Sequence, residues 1–282
     1  MTENELKKRN PWVEIADKLD CLCSDTTEFV YSKDVDMVRA FNKRVAKSKN
    51  CKQGYHPSKL ILNVPPEPWQ GNPLKAKVIF LSLNPGFVEE INWKVAKLLQ
   101  NEKGILERML EFHKKTLRLE IDSFFPETND ERPIGFKDSI SMHGGWYWEK
   151  GLAKLLEKVV NNNYTEKQFY RDVAIIQYHS YSSTKYGMEF TKPGYYLESQ
   201  KFTAELIKYI LENKDTMFVV MRSFKYWKEL LEEDDKDFWK KYENRFHIKD
   251  NGSMSQTISE KNLMLKKDGT DVFNLICNKL QE

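Results

Sequence analysis

Long apolar stretches are missing from this chain of 282 residues. No apolar run approaches the ~18 residues that a transmembrane helix needs, so we expect no membrane span and no membrane partner. The first residues, MTENELKKRNPW, are polar and lack the apolar core of a secretory signal. We therefore expect a protein that stays in the cytoplasm.

Cysteine is also scarce, with Cys21, Cys23, Cys51 and Cys277 the four in the chain. Structural zinc sites use two pairs of ligands, each pair two to four residues apart. Here Cys21 and Cys23 are too close together, and the other two stand alone in sequence. Cys277 lies in TDVFNLICNKL, a pattern typical of a buried helix face. We expect reduced thiols, no metal and no cofactor.

Neither sign of charge dominates, because 45 basic and 42 acidic side chains give a formal net charge of +3. This balance excludes a strongly basic, histone-like binder but leaves room for a local basic face. The segment VDMVRAFNKRVAKSKNCK has helical periodicity and basic residues on its polar face, which is either a solvated surface or a phosphate-contacting one. Aromatic residues make up 13% of the chain, so disorder is excluded as well.

Buried strands alternate with helices along the rest of the chain. Strands are predicted at 78–83, 172–178, 216–221 and 245–248, and helices at 92–119, 148–160, 201–213 and from about Thr270 or Asp271 onward. The first strand, within KVIFLSL, is continuously apolar and should be central. The alternation predicts a three-layer α/β/α domain with a central four-stranded parallel sheet over 59–282, after an N-terminal helical extension over 1–58.

Ligands bind such sheets beyond the carboxyl ends of the strands. The first strand ends in Asn-Pro-Gly, which is either a tight turn or a place where a ligand approaches the backbone closely. The glycine spacing of a Rossmann fingerprint or a P-loop is absent. Candidate site residues that follow the first three strands are Asn84, Pro85, Gly86, Phe87, Gln177, Tyr178, His179, Arg222 and Ser223.

These segments resemble the uracil-DNA glycosylase superfamily over about residues 70–282. FLSLNPGF is similar to the family's first motif, in which a strand leads into Asp-Pro or Asn-Pro. The Asn-Pro-Gly version is similar to the mismatch-specific thymine/uracil glycosylase branch. AIIQYHS resembles the second strand and FVVMRSFKYW the third, and SMSQTISEKNL lies where the family has its DNA-intercalating loop.

The resemblance implies a DNA-binding enzyme, with no cofactor, that flips a damaged or mismatched nucleobase and hydrolyses its N-glycosidic bond. Asn84 would then position the attacking water. Base-binding residues would be Pro85, Gly86, Phe87, Gln177, Tyr178 and His179. DNA-binding residues would be Arg222, Ser223, Ser255, Ser259, Lys261 and Asn262. A monomer is expected.

The chain departs from the family pattern in three respects. No His-Pro-Ser tripeptide occurs in the 250–262 loop, Gln177 stands where the family carries Asn, and the cluster-binding cysteines of the thermophilic branches are absent. Two alternatives therefore stay open. One is a catalytically inactive nucleic-acid-binding module on the same fold, and the other is an α/β enzyme that acts on a small nucleoside.

Overall fold

The computed structural model describes residues 1–19, 28–48, 56–86, 103–123, 151–161, 163–185, 187, 190–248, 257–260, 263 and 271–282. The strands are β1 Trp69–Gln70, β2 Val78–Ser82, β3 Val173–Gln177, β4 Met217–Val220 and β5 Phe246–Ile248. The helices are α1 Glu3–Lys8, α2 Trp12–Lys18, α3 Val35–Ala46, α4 Lys103–Leu117, α5 Ala153–Val159, α6 Glu166–Asp172, α7 Glu198–Asn213, α8 Phe224–Leu231, α9 Phe238–Lys241 and α10 Val272–Gln281, with a 3₁₀ turn at Glu243–Arg245.

The five strands form one sheet in the order β1-β3-β2-β4-β5. β2 pairs in parallel with both β3 and β4, and β4 pairs in parallel with β5. The four strands predicted from the sequence are all present, and every residue of β2 is buried. The expectation of an α/β protein with a largely parallel sheet and a central first predicted strand is thus confirmed.

The count of four strands is corrected to five, because β1 lies inside HPSKLILNVPPEPWQGNP, a segment whose prolines and glycine predict an extended connector. Trp69 and Gln70 pair antiparallel with Ile176 and Ile175 of β3. The segment is held further by the Trp69 indole Nε1–H, which donates to the Thr116 carbonyl oxygen at 2.7 Å. Gly71 ends the strand with φ 73°, a conformation that favours glycine.

Two apolar clusters cover the two faces of the sheet. On β2, Ile79 and Leu81 belong to the first cluster, and Val78 and Phe80 belong to the second. This alternation is what a strand buried on both faces requires. Buried side chains of α1, α2, α3, α7 and α8 complete the first cluster, and those of α5, α6 and α10 complete the second.

The N-terminal helices share the first cluster with the sheet. Leu6, Trp12 and Phe41 are all buried in it, and the Trp12 ring packs edge-on against Tyr181, which follows β3, at a centroid distance of 5.9 Å. The division of the chain into 1–58 and 59–282 stays a prediction.

Candidate functional site

The carboxyl ends of β2 and β3 lie side by side, since Ser82 is the register partner of Gln177. The Asn84-Pro85-Gly86 turn comes directly after that pair. The two chain segments stay bonded beyond the strands, where the His179 N–H donates to the Leu83 carbonyl oxygen at 2.7 Å. The structure therefore brings Asn84 and Gln177 to the same edge of the sheet.

The Asn84 side chain is half-buried and held by hydrogen bonds. Its Nδ2 donates to Ser183 Oγ and to the Pro85 carbonyl oxygen, both at 3.0 Å. No donor among the described residues is bonded to Oδ1, which leaves that oxygen as an acceptor. Gly86 pairs with Ser183 through an isolated parallel bridge. A Cβ placed on Gly86 would meet no described atom within 4 Å.

Gln177 is completely buried, with 0% of its surface exposed. Its backbone N–H donates to the Pro68 carbonyl oxygen at 2.9 Å, but neither Nε2 nor Oε1 of its side chain has a hydrogen-bond partner among the described residues. Buried side-chain amides are ordinarily satisfied, because an unpaired polar group pays its full desolvation cost. An amide left in this state at a strand end is an indication of a ligand site.

A second pair of polar side chains lies at the neighbouring edge strand, Gln70 on β1 and Glu67 two residues before it, and the sequence interpretation missed it. Glu67 and Gln70 are both buried, and Gln70 Nε2 donates to Glu67 Oε2 at 3.1 Å. Burial raises the pKa of Glu67 to about 8, opposed by the bond from Gln70. A signal was available, because Glu67 is the single charged residue between Lys59 and Lys75.

Tyr178 lies away from the Gln177 side chain. It belongs to the first cluster, with its ring edge-on to Trp227 at 5.1 Å, and its hydroxyl donates to the Phe190 carbonyl oxygen at 3.2 Å. Successive side chains of a strand point to opposite faces. Tyr178 and Gln177 are thus not brought to one ligand surface.

His179 is also buried, between aromatic rings. Its ring stacks on Phe190 at a centroid distance of 5.5 Å, and its Nδ1 accepts from the Tyr181 N–H at 3.2 Å. Burial lowers the pKa of His179 to about 4, opposed by its hydrogen bond to the Tyr181 backbone. The imidazole is therefore neutral near pH 7 and brings no positive charge to this edge of the sheet.

Arg222 and Ser223 form the junction between β4 and α8. Arg222 is exposed, as a residue that contacts phosphate would be. Ser223 has φ 55° and ψ 45°, and its side chain makes no capping hydrogen bond to α8. A left-handed backbone at a residue other than glycine is strained, and such strain is found preferentially at functional sites.

Ser259 lines a cavity of 430 Å³ between α5, α10 and the segment 257–260. The segment is tied to the start of α5 by the Ile258 N–H, which donates to the Gly151 carbonyl oxygen at 2.8 Å. The cavity walls balance two lysines against two glutamates, so they carry no excess positive charge for a phosphate. The lining residues are Lys154, Glu157, Lys158, Ser259, Glu260 and Phe273.

Four of the predicted site residues lie outside the described residues: Phe87, Ser255, Lys261 and Asn262. The same holds for Cys21, Cys23 and Cys51. Within the described ranges, no group of three or more His, Cys, Asp or Glu side chains is arranged to hold a metal ion. No helix in that part of the chain is long and apolar enough to cross a membrane.

Comparisons of the chain with protein-family models, with curated proteins and with solved structures found no match. A function for this chain therefore depends on the geometry and chemistry of its own residues.

Proposed function

We propose that this chain is a DNA glycosylase of the uracil-DNA glycosylase type, with a three-layer α/β/α fold, that binds a flipped nucleobase at the carboxyl ends of β2 and β3. The observation that carries the proposal is the Gln177 amide, which is wholly buried and unpaired among the described residues beside the Asn84-Pro85-Gly86 turn. DNA is the proposed partner.

A side-chain amide offers one acceptor oxygen and two N–H donors. The edge of a nucleobase presents donors and acceptors at similar spacing, and enzymes that excise bases read the flipped base through that edge. Gln177 would form such a pair with the base. A bound base would then supply the hydrogen-bond partner that the Gln177 amide lacks among the described residues.

Asn84 is proposed to orient the attacking water. Its Nδ2 is committed to Ser183 and Pro85, so Oδ1 is left to accept a hydrogen bond from that water and to direct a lone pair of the water at C1′ of the sugar. In the hydrolysis the C1′–N bond breaks, the water oxygen forms the new bond to C1′, and a water proton ends on the released base. A dipole fixed in advance in this way stabilises the transition state more than the ground state.

The test is a base-excision assay with single-stranded and double-stranded oligonucleotides that contain uracil, hypoxanthine, xanthine or a mismatched thymine. Wild-type protein should create abasic sites in at least one of them, and Gln177→Leu should create none at the same protein concentration. Binding of DNA without excision of any base would favour the inactive module. If the protein neither binds DNA nor excises a base, the proposal is contradicted.

A further inference from the structure

We propose that Glu67 and Gln70 belong to the same ligand site as Gln177, where Glu67 positions Gln70 so that the two amides contact one neutral ligand edge. The inference rests on the proposed function in taking the ligand to be a nucleobase. We call these three residues the amide cluster.

The register of the sheet places the two glutamines of the amide cluster on one face. Gln70 is directly opposite Ile175, and a directly opposed pair in antiparallel strands has its side chains on the same face. Ile175 belongs to the second apolar cluster. Gln177 follows two residues later on β3 and so points to that face as well. Diagonal neighbours of this kind are about 7–8 Å apart, within reach of long side chains.

The hydrogen bonds of the amide cluster leave three polar atoms without a partner among the described residues. They are Gln70 Oε1, Gln177 Oε1 and Gln177 Nε2. Both glutamines are more than nine-tenths buried. Gln70 Nε2 is committed to Glu67 Oε2, which fixes the amide of Gln70 with its oxygen as the available acceptor. Two acceptors and one donor group on one buried face fit a ligand edge that presents N–H and C=O groups together.

The surroundings of Glu67 favour its uncharged form. Burial raises its pKa to about 8, and no charged group among the described residues contributes to that shift. From α4, which packs on this segment, the titratable side chain that faces it is His113, bonded to the Pro66 backbone, and burial lowers the pKa of His113 to about 4. His179, beyond the end of β3, is likewise neutral. An uncharged wall suits a neutral heterocycle better than a phosphate or a carboxylate.

The test measures the affinity of the full chain for free uracil and free hypoxanthine between pH 6 and pH 9, by ligand-observed NMR. Wild-type affinity should fall by about tenfold as Glu67 ionises, since a buried negative charge beside the two amides repels the carbonyl oxygens of the ligand. Glu67→Gln keeps an uncharged acceptor for Gln70 and should bind without this fall. Glu67→Ala should bind about tenfold more weakly at every pH.

The matched control is Glu120→Gln at an exposed glutamate, which should keep the wild-type pH profile. The inference is overturned if the wild type binds neither base at millimolar concentration, if its affinity does not change with pH, or if Glu67→Gln retains the fall. These outcomes are separate from base excision. A pH-dependent affinity for free bases without any excision would support the amide cluster and contradict the glycosylase function.

Discussion

The carboxylate of Asp34 accepts a hydrogen bond from the hydroxyl of Tyr181 at 2.8 Å, and so joins the N-terminal segment to the loop that follows β3. Asp34 is completely buried. Its other oxygen accepts from the Ser199 N–H at 3.3 Å, in the first turn of α7. Carboxylates at this position stabilise a helix N-terminus. The residue that precedes α7 is Leu197, so this cap comes from a distant part of the chain.

Asp34→Ala should lower the free energy of unfolding by about 2 kcal/mol, because it removes the helix cap and leaves the Tyr181 hydroxyl without this acceptor. Urea denaturation followed by circular dichroism measures the change. Asp36→Ala, at an exposed position in the first turn of α3, is the control and should change stability by less than about 0.5 kcal/mol. Equal effects for the two variants would argue against the role of Asp34.

Gln177→Leu should raise stability by about 1–3 kcal/mol while abolishing base excision. Leucine removes an amide whose burial is uncompensated among the described residues, and replacement of such a group by an apolar one of similar size is favourable.

Gln200 is the matched control, because it is also buried but fully bonded. It donates to the carbonyl oxygens of Tyr178 and Phe190 and accepts from the Leu197 N–H. Gln200→Leu should therefore lower stability by about 1–3 kcal/mol. A loss of stability in Gln177→Leu comparable to that in Gln200→Leu would mean that Gln177 has a structural partner.

The stability of the protein should pass through a maximum near pH 6.5. Glu67 holds its proton up to pH about 8 when folded, against an ordinary pKa of 4.5, so its contribution is lost as the pH rises between those values. His113 and His179 have folded pKa values of about 4 against 6.5. Their contribution is lost as the pH falls through that window.

Denaturation of the wild type at pH 5, 6.5 and 8 measures both losses. For each group, the free energy of unfolding changes by about 1.4 kcal/mol per pH unit per proton. Glu67→Gln should remove the loss above pH 6.5. It should also make the rise between pH 5 and pH 6.5 steeper by about 1.4 kcal/mol per pH unit, because Glu67 no longer opposes the two histidines there. Curves for the wild type and Glu67→Gln that run parallel between pH 6.5 and pH 8 would show that Glu67 titrates with an ordinary pKa.

If the protein excises a base, Asn84→Ala should slow the single-turnover rate by about a hundredfold or more and leave DNA affinity nearly unchanged. The reason is that a water-orienting oxygen acts mainly in the transition state. Arg222→Ala should do the reverse, with weaker binding, a smaller salt dependence and an unchanged rate at saturation. Single-turnover kinetics and binding titrations at two salt concentrations separate the two. Similar losses of rate and affinity in Asn84→Ala would contradict its role.

Ser223→Gly should raise the free energy of unfolding by about 0.5 kcal/mol. Glycine relieves the left-handed strain, worth about 1–2 kcal/mol, at an entropic cost of about 0.5–1 kcal/mol in the unfolded chain. Since the serine hydroxyl makes no cap bond to α8, no hydrogen bond to the helix is lost. Ser223→Val provides the contrast and should destabilise by more than 1 kcal/mol. Unchanged stability in both variants would show that the backbone between β4 and α8 adjusts to either residue and that Ser223 is not strained.

Three of the four parallel strands, β2, β3 and β4, could be predicted because each is a run of β-forming apolar residues. β5 gives a weaker signal of the same kind, since it has three residues with His247 at its centre. Their observed ends fall within a residue or two of the predicted ones. β1 could not be predicted, because two residues between a proline and a glycine are too few to show the alternating hydrophobic pattern of a strand. Their pairing with β3 also depends on tertiary structure. Helix α6 was missed although Thr165 and Gln168 form a capping box, a pattern that is readable in sequence.

The site was accessible to sequence reasoning only in part. The parallel arrangement of β2 and β3 was enough to place Asn84 and Gln177 at one edge. Strict alternation along β3 would also have assigned Tyr178 to the opposite face from Gln177. From the sequence, Glu67 and Gln70 could not be assigned to the site proposed for Gln177. Their position relative to Gln177 depends on the register of an edge strand that the sequence does not predict.

The two edge strands have a consequence for crowded solutions of this protein. β1 is two residues long and β5 three, and Pro68, next to β1, has no N–H to donate. A strand from another molecule can extend a sheet only along a run of unpaired backbone groups. With edges this short, the addition of a strand from another molecule would gain few hydrogen bonds. Amyloid-like growth from the folded state is therefore disfavoured at these two edges.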